Sequence, residues 1–492
     1  MVSRHRLLIS LAIGTALAAP AMAQPQHRTR HEPPKPPRPG SPAQYDTAAA
    51  PHTLVQALAS TYANQPALQA ERAKLRATDE NVPAALSGWR PTVVLAGTAG
   101  YGSGVSRTYS QLIGHLSTPA ERDIATGQAT LTQPIYTGGR TQANVHRANN
   151  QVMAERANLI AQEQTSFQNT VNAYVGVIQA QQLLELARNN VQVLTRQLQA
   201  TRDRFRVGEI TRTDVAQAEA ALATSQSQLE NANGNLQTAR GTFQQAVGYL
   251  PPSNLVEPQP LALPVSSESQ ASSVASVNNP TVIAAQFNDA AAKDAVDVAF
   301  SQLMPQVSLQ AQTFAQENAA ARSAQSTGYQ VVAQLSVPLY QGGAEYAAVR
   351  QAKQSEQQTQ RLVDDAKRTA VQAAVNAWDT YVAARAAATS DRASIHANEI
   401  ALEGVQREAI VGSRTTLDVL NAQQTLLNSR TSLVQDLARL VTASYQVAGA
   451  IGRLTARDLR LNVPLYDDTA YYRAVKNKWF GLGDAATNQP GR

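Results

Sequence analysis

The chain of 492 residues contains no cysteine. That absence excludes a disulfide, a thiolate metal site and a lipidated N-terminal cysteine. Net charge is also missing from most of the molecule. The formal balance is +6, but residues 1–40 hold Arg4, Arg6, Arg28, Arg30, Lys35 and Arg38 against Glu32 alone, which leaves about +1 for everything after them. With no basic face to follow a phosphate backbone, nucleic acid is not an expected partner. The seven histidines are scattered, and no metal-ligand cluster, nucleophile elbow or phosphate loop is present. Neither an enzyme nor a cofactor or metal is expected.

What is present begins with an address. Arg4 and Arg6 precede an apolar run from Leu7 to Ala19, and Ala21-Met22-Ala23 has the small-residue pattern of a cleavage site. Residues 1–23 therefore read as a signal peptide; the apolar run is too short and wrongly flanked for a membrane anchor. Residues 24–51 are rich in proline and basic residues and read as a disordered tether.

The remainder says the same thing twice. TLTQPIYTGGR at 130–140 returns as QLSVPLYQGGA at 334–344. Pro134 and Pro338 are 204 apart, as are Gly208 and Gly412, Asp214 and Asp418, and Gly248 and Gly452. Upstream the offset is 214, seen in Pro66 and Pro280 and in Pro91 and Pro305. The ten-residue difference falls in the Gly/Ser/Thr-rich interval 101–127 or in 316–328, the natural place for a variable exposed loop. The expected organisation is repeat one over 52–250, a linker over 251–278, repeat two over 279–454, and a C-terminal segment and tail over 455–492.

Each repeat parses alike: a helix (about 52–86 and 281–303), a strand pair around the variable loop, a long helix, a turn and a return helix. The second strand pair alternates cleanly, with Val307, Leu309 and Ala311 against Ser308, Gln310 and Gln312, then Val331, Ala333, Leu335 and Val337 against Gln330, Gln334 and Ser336. Residues 140–205 and 344–409 contain no proline, and helices of that length span about 100 Å. They lack a wide Leu/Ile/Phe stripe, offering alanine and small polar residues for close packing; Trp378 and Tyr381 read as packing residues. Four strands of membrane-crossing length cannot close a barrel, and open edges are not tolerated in lipid. Three chains would supply twelve. The expected fold class is a mixed α+β membrane protein: a trimeric 12-strand β-barrel, four strands per chain, continued by a long α-helical barrel, with two tandem repeats per chain.

The paired LTQPIYTGG and LSVPLYQGG joints, with RFRVGEITRTDV and VGSRTTLDVLNAQQTL at the turns, resemble the TolC family of outer-membrane export channels over roughly 52–455, in its unlipidated branch. The resemblance implies a homotrimer in the outer membrane of a Gram-negative bacterium, reaching into the periplasm. Its implied partners are outer-membrane lipid, a periplasmic membrane-fusion adaptor and an inner-membrane transporter of the RND or ABC type. It implies multidrug efflux or type I protein secretion, without choosing between them, and an equatorial belt built from 248–278 and 453–480.

The same resemblance makes Asp418 an aperture residue, with Asn421 where the family has a second acid. It has Arg414 linked to Thr213 and Asp214, with Ala409 replacing a tyrosine that usually joins the link, and it has Val207, Gly208, Val411 and Gly412 at adaptor-docking tips. The residues alone allow another role: Thr211-x-x-Asp214 and Thr415-x-x-Asp418 also fit helix N-termini where the acid meets the dipole. The rival reading is a trimeric coiled-coil surface adhesin or structural envelope protein with a shared barrel. It would place one strand unit after a stalk, whereas these strands lie inside both repeats.

Overall fold

The computed structural model describes residues 50–119, 121–319 and 323–483, all within one compact unit, Thr47–Arg492. The signal peptide and residues 24–49 lie outside the described residues. Ala50 and Pro51, assigned to the tether from composition, are buried instead.

Helix α1 (Leu54–Asn64) starts at a capping box between Thr53 and Gln56. Where the sequence suggested one helix, three form: α1, α2 (Pro66–Asp79) and α3 (Asn81–Leu86). Gln65 is held extended before Pro66, which opens α2 at its first position. Strand β1 (Thr92–Gly102) follows, then a ribbon of β2 (Val105–Ser110) and β3 (Gly114–Pro119), then β4 (Arg122–Tyr136). The interval read as a loop is therefore partly strand: β1 and β4 run into it, and the ribbon occupies what lies between.

Helix α4 (Arg140–Arg206) has 67 residues, about 100 Å. It begins after Gly138 and Gly139, both at positive φ. Gly138 has a second reason to be glycine, since a Cβ there would lie 2.6 Å from Met304 Cβ and 2.8 Å from the Ser301 carbonyl oxygen. The return helix α5 (Arg212–Val247) ends at Gly248, again left-handed. Helix α6 (Glu268–Asn278), capped by Ser267, lies inside the expected linker and was not foreseen. Then come α7 (Pro280–Phe300), β5 (Gln306–Glu317), β6 (Gln325–Ser336), α8 (Ala344–Ile410, also 67 residues), α9 (Thr416–Ala450) and the short α10 (Ala470–Val475). No helix among the described residues is long and apolar enough to cross a membrane.

The strands β1-β4-β5-β6 form one antiparallel sheet in that order. The β4–β5 pairing joins the two repeats, and its register shifts between Pro134 and Tyr136, where strand gives way to helix.

Below the sheet, α4 packs along α5 and α7, and α8 along α9 and α7. The buried positions of α8 are Val349 and six alanines (Ala370, Ala374, Ala377, Ala384, Ala388 and Ala409). Alanine lets axes approach closely but buries little apolar area per residue. The larger side chains gather around the middle of α4. There Phe167, Val171 and Tyr174 meet Leu58, Leu68, Leu75 and Val82 of α1–α3, Phe243 of α5, and Leu454 and Leu461 beyond α9. The single Tyr174 hydroxyl proton is shared between the carbonyls of His52 (2.7 Å) and Val256 (2.8 Å), fastening His52 to the linker. Arg72, 2 % exposed, stacks on Tyr62 at 4.6 Å and Tyr466 at 5.2 Å, and its Nη2 donates to the Tyr62 carbonyl.

The C-terminal segment is tied onto this belt by polar contacts. Ala456 N–H donates to Glu163 Oε1 at 2.6 Å, Tyr466 N–H to Tyr62 Oη at 3.0 Å, and Tyr472 Oη to Asn149 Oδ1 at 2.9 Å. Burial pushes the Glu163 carboxyl up to about 7, against the opposing pull of the Ala456 N–H. Asp79 is likewise pushed up to about 7 by burial, and neither of its carboxylate oxygens has a hydrogen-bond partner. A raised carboxyl means the folded chain binds more protons than the unfolded chain between the ordinary carboxylate range and about 7. Stability is therefore fullest below that range and falls as pH rises through about 7. The midpoint of guanidinium unfolding should be lower at pH 8 than at pH 5. Glu163→Gln, which keeps an acceptor for Ala456 and removes the charge, should narrow the gap, and adding Asp79→Asn should narrow it further. An unchanged gap in both variants would place the pH dependence elsewhere.

Candidate functional site

The sheet presents two chemically different faces. Register sets Val93 opposite Leu131, Leu131 opposite Ala311, and Ala311 opposite Val331. With Leu95, Leu309 and Leu335 they form one apolar face, and the large residues on it are exposed in the single chain. The other face is polar and uncharged through its middle. Thr98 and Thr126 hydroxyls lie 2.6 Å apart. A row of glutamines crosses three strands, Gln312 Nε2 donating to Gln128 Oε1 (3.0 Å) and Gln330 Nε2 to Gln312 Oε1 (2.9 Å). Among the described residues β1 and β6 pair on one side only, so both outer edges of the sheet carry unpaired backbone groups.

At the opposite end of α4 and α8 are two turns with the same backbone design. In the first, the Gly208 N–H donates to the Phe205 carbonyl and the Glu209 N–H to that of Arg204, each at 3.0 Å. In the second, Gly412 and Ser413 repeat this with Ala409 and Glu408. Both are Schellman closures, and the glycines sit at φ +83° and +80°. Val207 and Val411 cap the helices and are 72 % and 79 % exposed, so each turn ends in an unburied apolar tip.

Asp418, expected at the aperture, and Asp214, expected in the Arg414 link, both sit in helix capping boxes. Thr415 N–H and Oγ1 each donate to Asp418 Oδ2 at 2.9 Å, and Asp418 N–H returns to Thr415 Oγ1 at 3.2 Å. Thr211 and Asp214 form the same box. Hydrogen bonds from the Thr415 backbone and hydroxyl hold the Asp418 carboxyl below its ordinary value; for Asp214 the Thr211 hydroxyl contributes most. In Asp418 the cap engages Oδ2, and among the described residues no hydrogen bond reaches Oδ1. Asn421 lies three residues further along α9, on the same exposed side.

Arg414 is held by a residue that the sequence reading missed. Its Nε donates to Glu408 Oε2 at 2.9 Å, and among the described residues no ion pair or hydrogen bond joins it to Thr213 or Asp214. The first turn carries the mirror arrangement, Arg204 Nε to Glu209 Oε2 at 3.0 Å. Arg204 and Glu408 occupy the same position before the turn, so each closure is clasped by an ion pair of opposite polarity. A signal for this existed. The closure folds the third-last helical residue back beside the residues after the glycine, and at both turns that residue is charged.

Comparison with known proteins follows this two-part layout. A family model described as outer membrane efflux protein matches residues 56–249 and 271–453, one block per repeat. The outer membrane efflux protein BepC of Brucella suis biovar 1 (strain 1330) is 37 % identical over 442 residues, covering 88 % of this chain and 93 % of that protein. The outer membrane protein TolC of Escherichia coli (strain K12) is 25 % identical over 319 residues, covering 60 % and 63 %. Among solved structures, the outer membrane protein VceC of Vibrio cholerae superposes with a TM-score of 0.70 at 20 % identity, over 81 % of this chain and 96 % of that one, a likeness of fold. Two exposed edges, one lipid-compatible face and paired helical tips belong to a chain of the outer membrane efflux protein family, an export channel of the Gram-negative outer membrane that extends into the periplasm.

Proposed function

We propose that three copies of this chain close a twelve-strand barrel in the outer membrane above a periplasmic tube of twelve helical segments. The observation that carries this reading is the sheet. Four strands with an apolar face and two unpaired edges have no stable place in lipid until the edges find partners. Copies of the same sheet supply those partners by β6-to-β1 pairing around a closed ring. The glutamine and threonine face then lines the lumen. At the far end the exposed valines, Val207 and Val411, present apolar knobs to a periplasmic adaptor, which couples the duct to an inner-membrane transporter of the RND or ABC type. Small-molecule efflux and type I protein secretion are both compatible with such a duct, and the choice of cargo belongs to those partners.

In the assembled tube three Asp418 carboxylates ring the periplasmic aperture with Asn421 beside them, and low-dielectric walls focus their field. Capping and gating then divide one side chain: Oδ2 serves the helix start and Oδ1 faces the axis. Closure has Arg414 exchange Glu408 for Thr213 and Asp214 of a first-repeat turn. Ala409, where a tyrosine would add a bond, leaves that closure loose.

Detergent-purified protein is expected to have a trimeric mass and an elongated particle of more than about 100 Å; a well-folded monomer with protected strands would overturn the assembly. Planar-bilayer recordings should separate the two duties of Asp418. Asp418→Ala lowers cation selectivity, modestly and less so at high salt. Thr415→Ala costs about 1 kcal/mol of local helix stability while leaving selectivity in place. Equal selectivity in wild type and Asp418→Ala would reduce that residue to a cap. Arg414→Glu should raise conductance by opposing Asp214 with a like charge.

Orientation has its own test. A short tag inserted near Ser106 should be reached from outside intact cells. One near Gly208 should be hidden and should stop export.

A further inference from the structure

We propose that residues Lys476–Leu482 form a second membrane contact, an interfacial anchor that lies on the periplasmic leaflet and binds the headgroups of anionic phospholipid. The segment is held in place yet leaves its large apolar side chains uncovered. Val475, at the end of α10, is fully buried, whereas Trp479, Phe480 and Leu482 are 64 %, 90 % and 106 % exposed. Three such residues within four positions are not an incidental surface feature.

Their level in the molecule is set by Arg90. Its Nη1 donates to the Lys478 carbonyl at 2.8 Å, and its guanidinium stacks on the Trp479 ring at 4.8 Å. Arg90 stands two residues before β1, next to the exposed Trp89, whose carbonyl accepts from Gln133 of β4 at 2.9 Å. Trp479 is thus fixed at the root of the strands. The other roots also carry exposed aromatics: Tyr136 ends β4, Tyr340 follows β6, and Phe300 precedes β5. Aromatic rings at one height mark the headgroup level of a bilayer. The C-terminal segment continues this girdle outward from the sheet.

Charge selects the ligand. Residues 474–483 contain Lys476 and Lys478 and no acid, and Arg90 adds a third cation. Lys478 Nζ donates to the Gly483 carbonyl at 2.7 Å, closing the loop around the aromatic pair, and Lys476 Nζ lies over the Tyr472 ring at 5.5 Å. An apolar wedge with flanking cations suits a phosphate headgroup above acyl chains. Because the chain has no cysteine, it can carry no thioether lipid of its own, and this segment supplies a membrane foothold outside the barrel.

The inference rests on the sheet lying in the bilayer, and the experiment tests that separately. The full chain has three tryptophans, Trp89, Trp378 and Trp479. A Trp89→Phe, Trp378→Phe variant leaves Trp479 as the sole reporter. It is reconstituted into vesicles of phosphatidylethanolamine and phosphatidylglycerol containing lipid brominated high on the acyl chain. The expected result is quenching of Trp479 by the bromolipid and little quenching by aqueous iodide. A sister variant with Trp479→Phe and Val331→Trp reports from mid-sheet and should be quenched by deeply brominated lipid. Its failure would sink the membrane sheet rather than the anchor. Binding of phosphatidylglycerol to the detergent-solubilised wild type should weaken about fivefold for each of Lys476→Gln and Lys478→Gln, with phosphatidylcholine binding unmoved. Quenching of Trp479 by iodide alone would put the segment in water. Quenching by neither agent would mean that protein covers it. Either outcome, or equal binding of both lipids by wild type, overturns the anchor.

Discussion

An unpaired peptide group in hydrocarbon has no water to turn to, and the architecture follows from that one constraint. The four strands satisfy each other internally, but β1 and β6 leave a row of donors and acceptors at each edge. In the assembly proposed above, neighbouring copies meet both rows. The alternating strand pattern, the apolar outer residues and the exposed edges are one requirement seen at three scales. Beneath the membrane the rule relaxes, because helices satisfy their own backbones and need only side-chain contact with neighbours.

That contact is unevenly distributed. Helix α8 meets its neighbours almost wholly through alanine, while Phe, Tyr and Leu gather at the belt where α1–α3, α4 and the C-terminal segment converge. Toward the distal turns Leu194 and Leu198 of α4 and Val419, Leu420 and Leu426 of α9 are buried, and each turn adds local devices: a glycine closure, a clasping ion pair and a capping box. Exposed ion pairs are screened by solvent and contribute little to stability. Such ends suit the exchange of partners proposed for the aperture, whereas the buried carboxyls Glu163 and Asp79 sit in the packed belt.

Much of this was legible in the chain because its signals are long or repeated. A constant offset of 204 fixes both joints and both turns, and two proline-free stretches announce helices that run within a residue of their expected ends. Reading failed where a signal was short or depended on distant partners. The break at Pro66 passed unnoticed because apolar spacing continues across it. Helix α6 was missed because its Ser- and Ala-rich sequence carries little periodic pattern and owes its place to α8. The ribbon β2–β3 hid in residues that suit turns as well as strands. Glu408 escaped because the partner of Arg414 is set by the turn geometry, which brings together residues six apart.

The glutamine row has a consequence for energetics. On the polar face, Thr126, Gln128, Thr130 and Thr132 of β4 and Gln310, Gln312 and Gln316 of β5 include no ionisable group. A wall of neutral dipoles offers a passing molecule roughly what water offers, so it neither captures cargo nor repels it by charge. In the barrel proposed above, vectorial work therefore falls to the partners below the membrane, and the strands contribute only the absence of an obstacle.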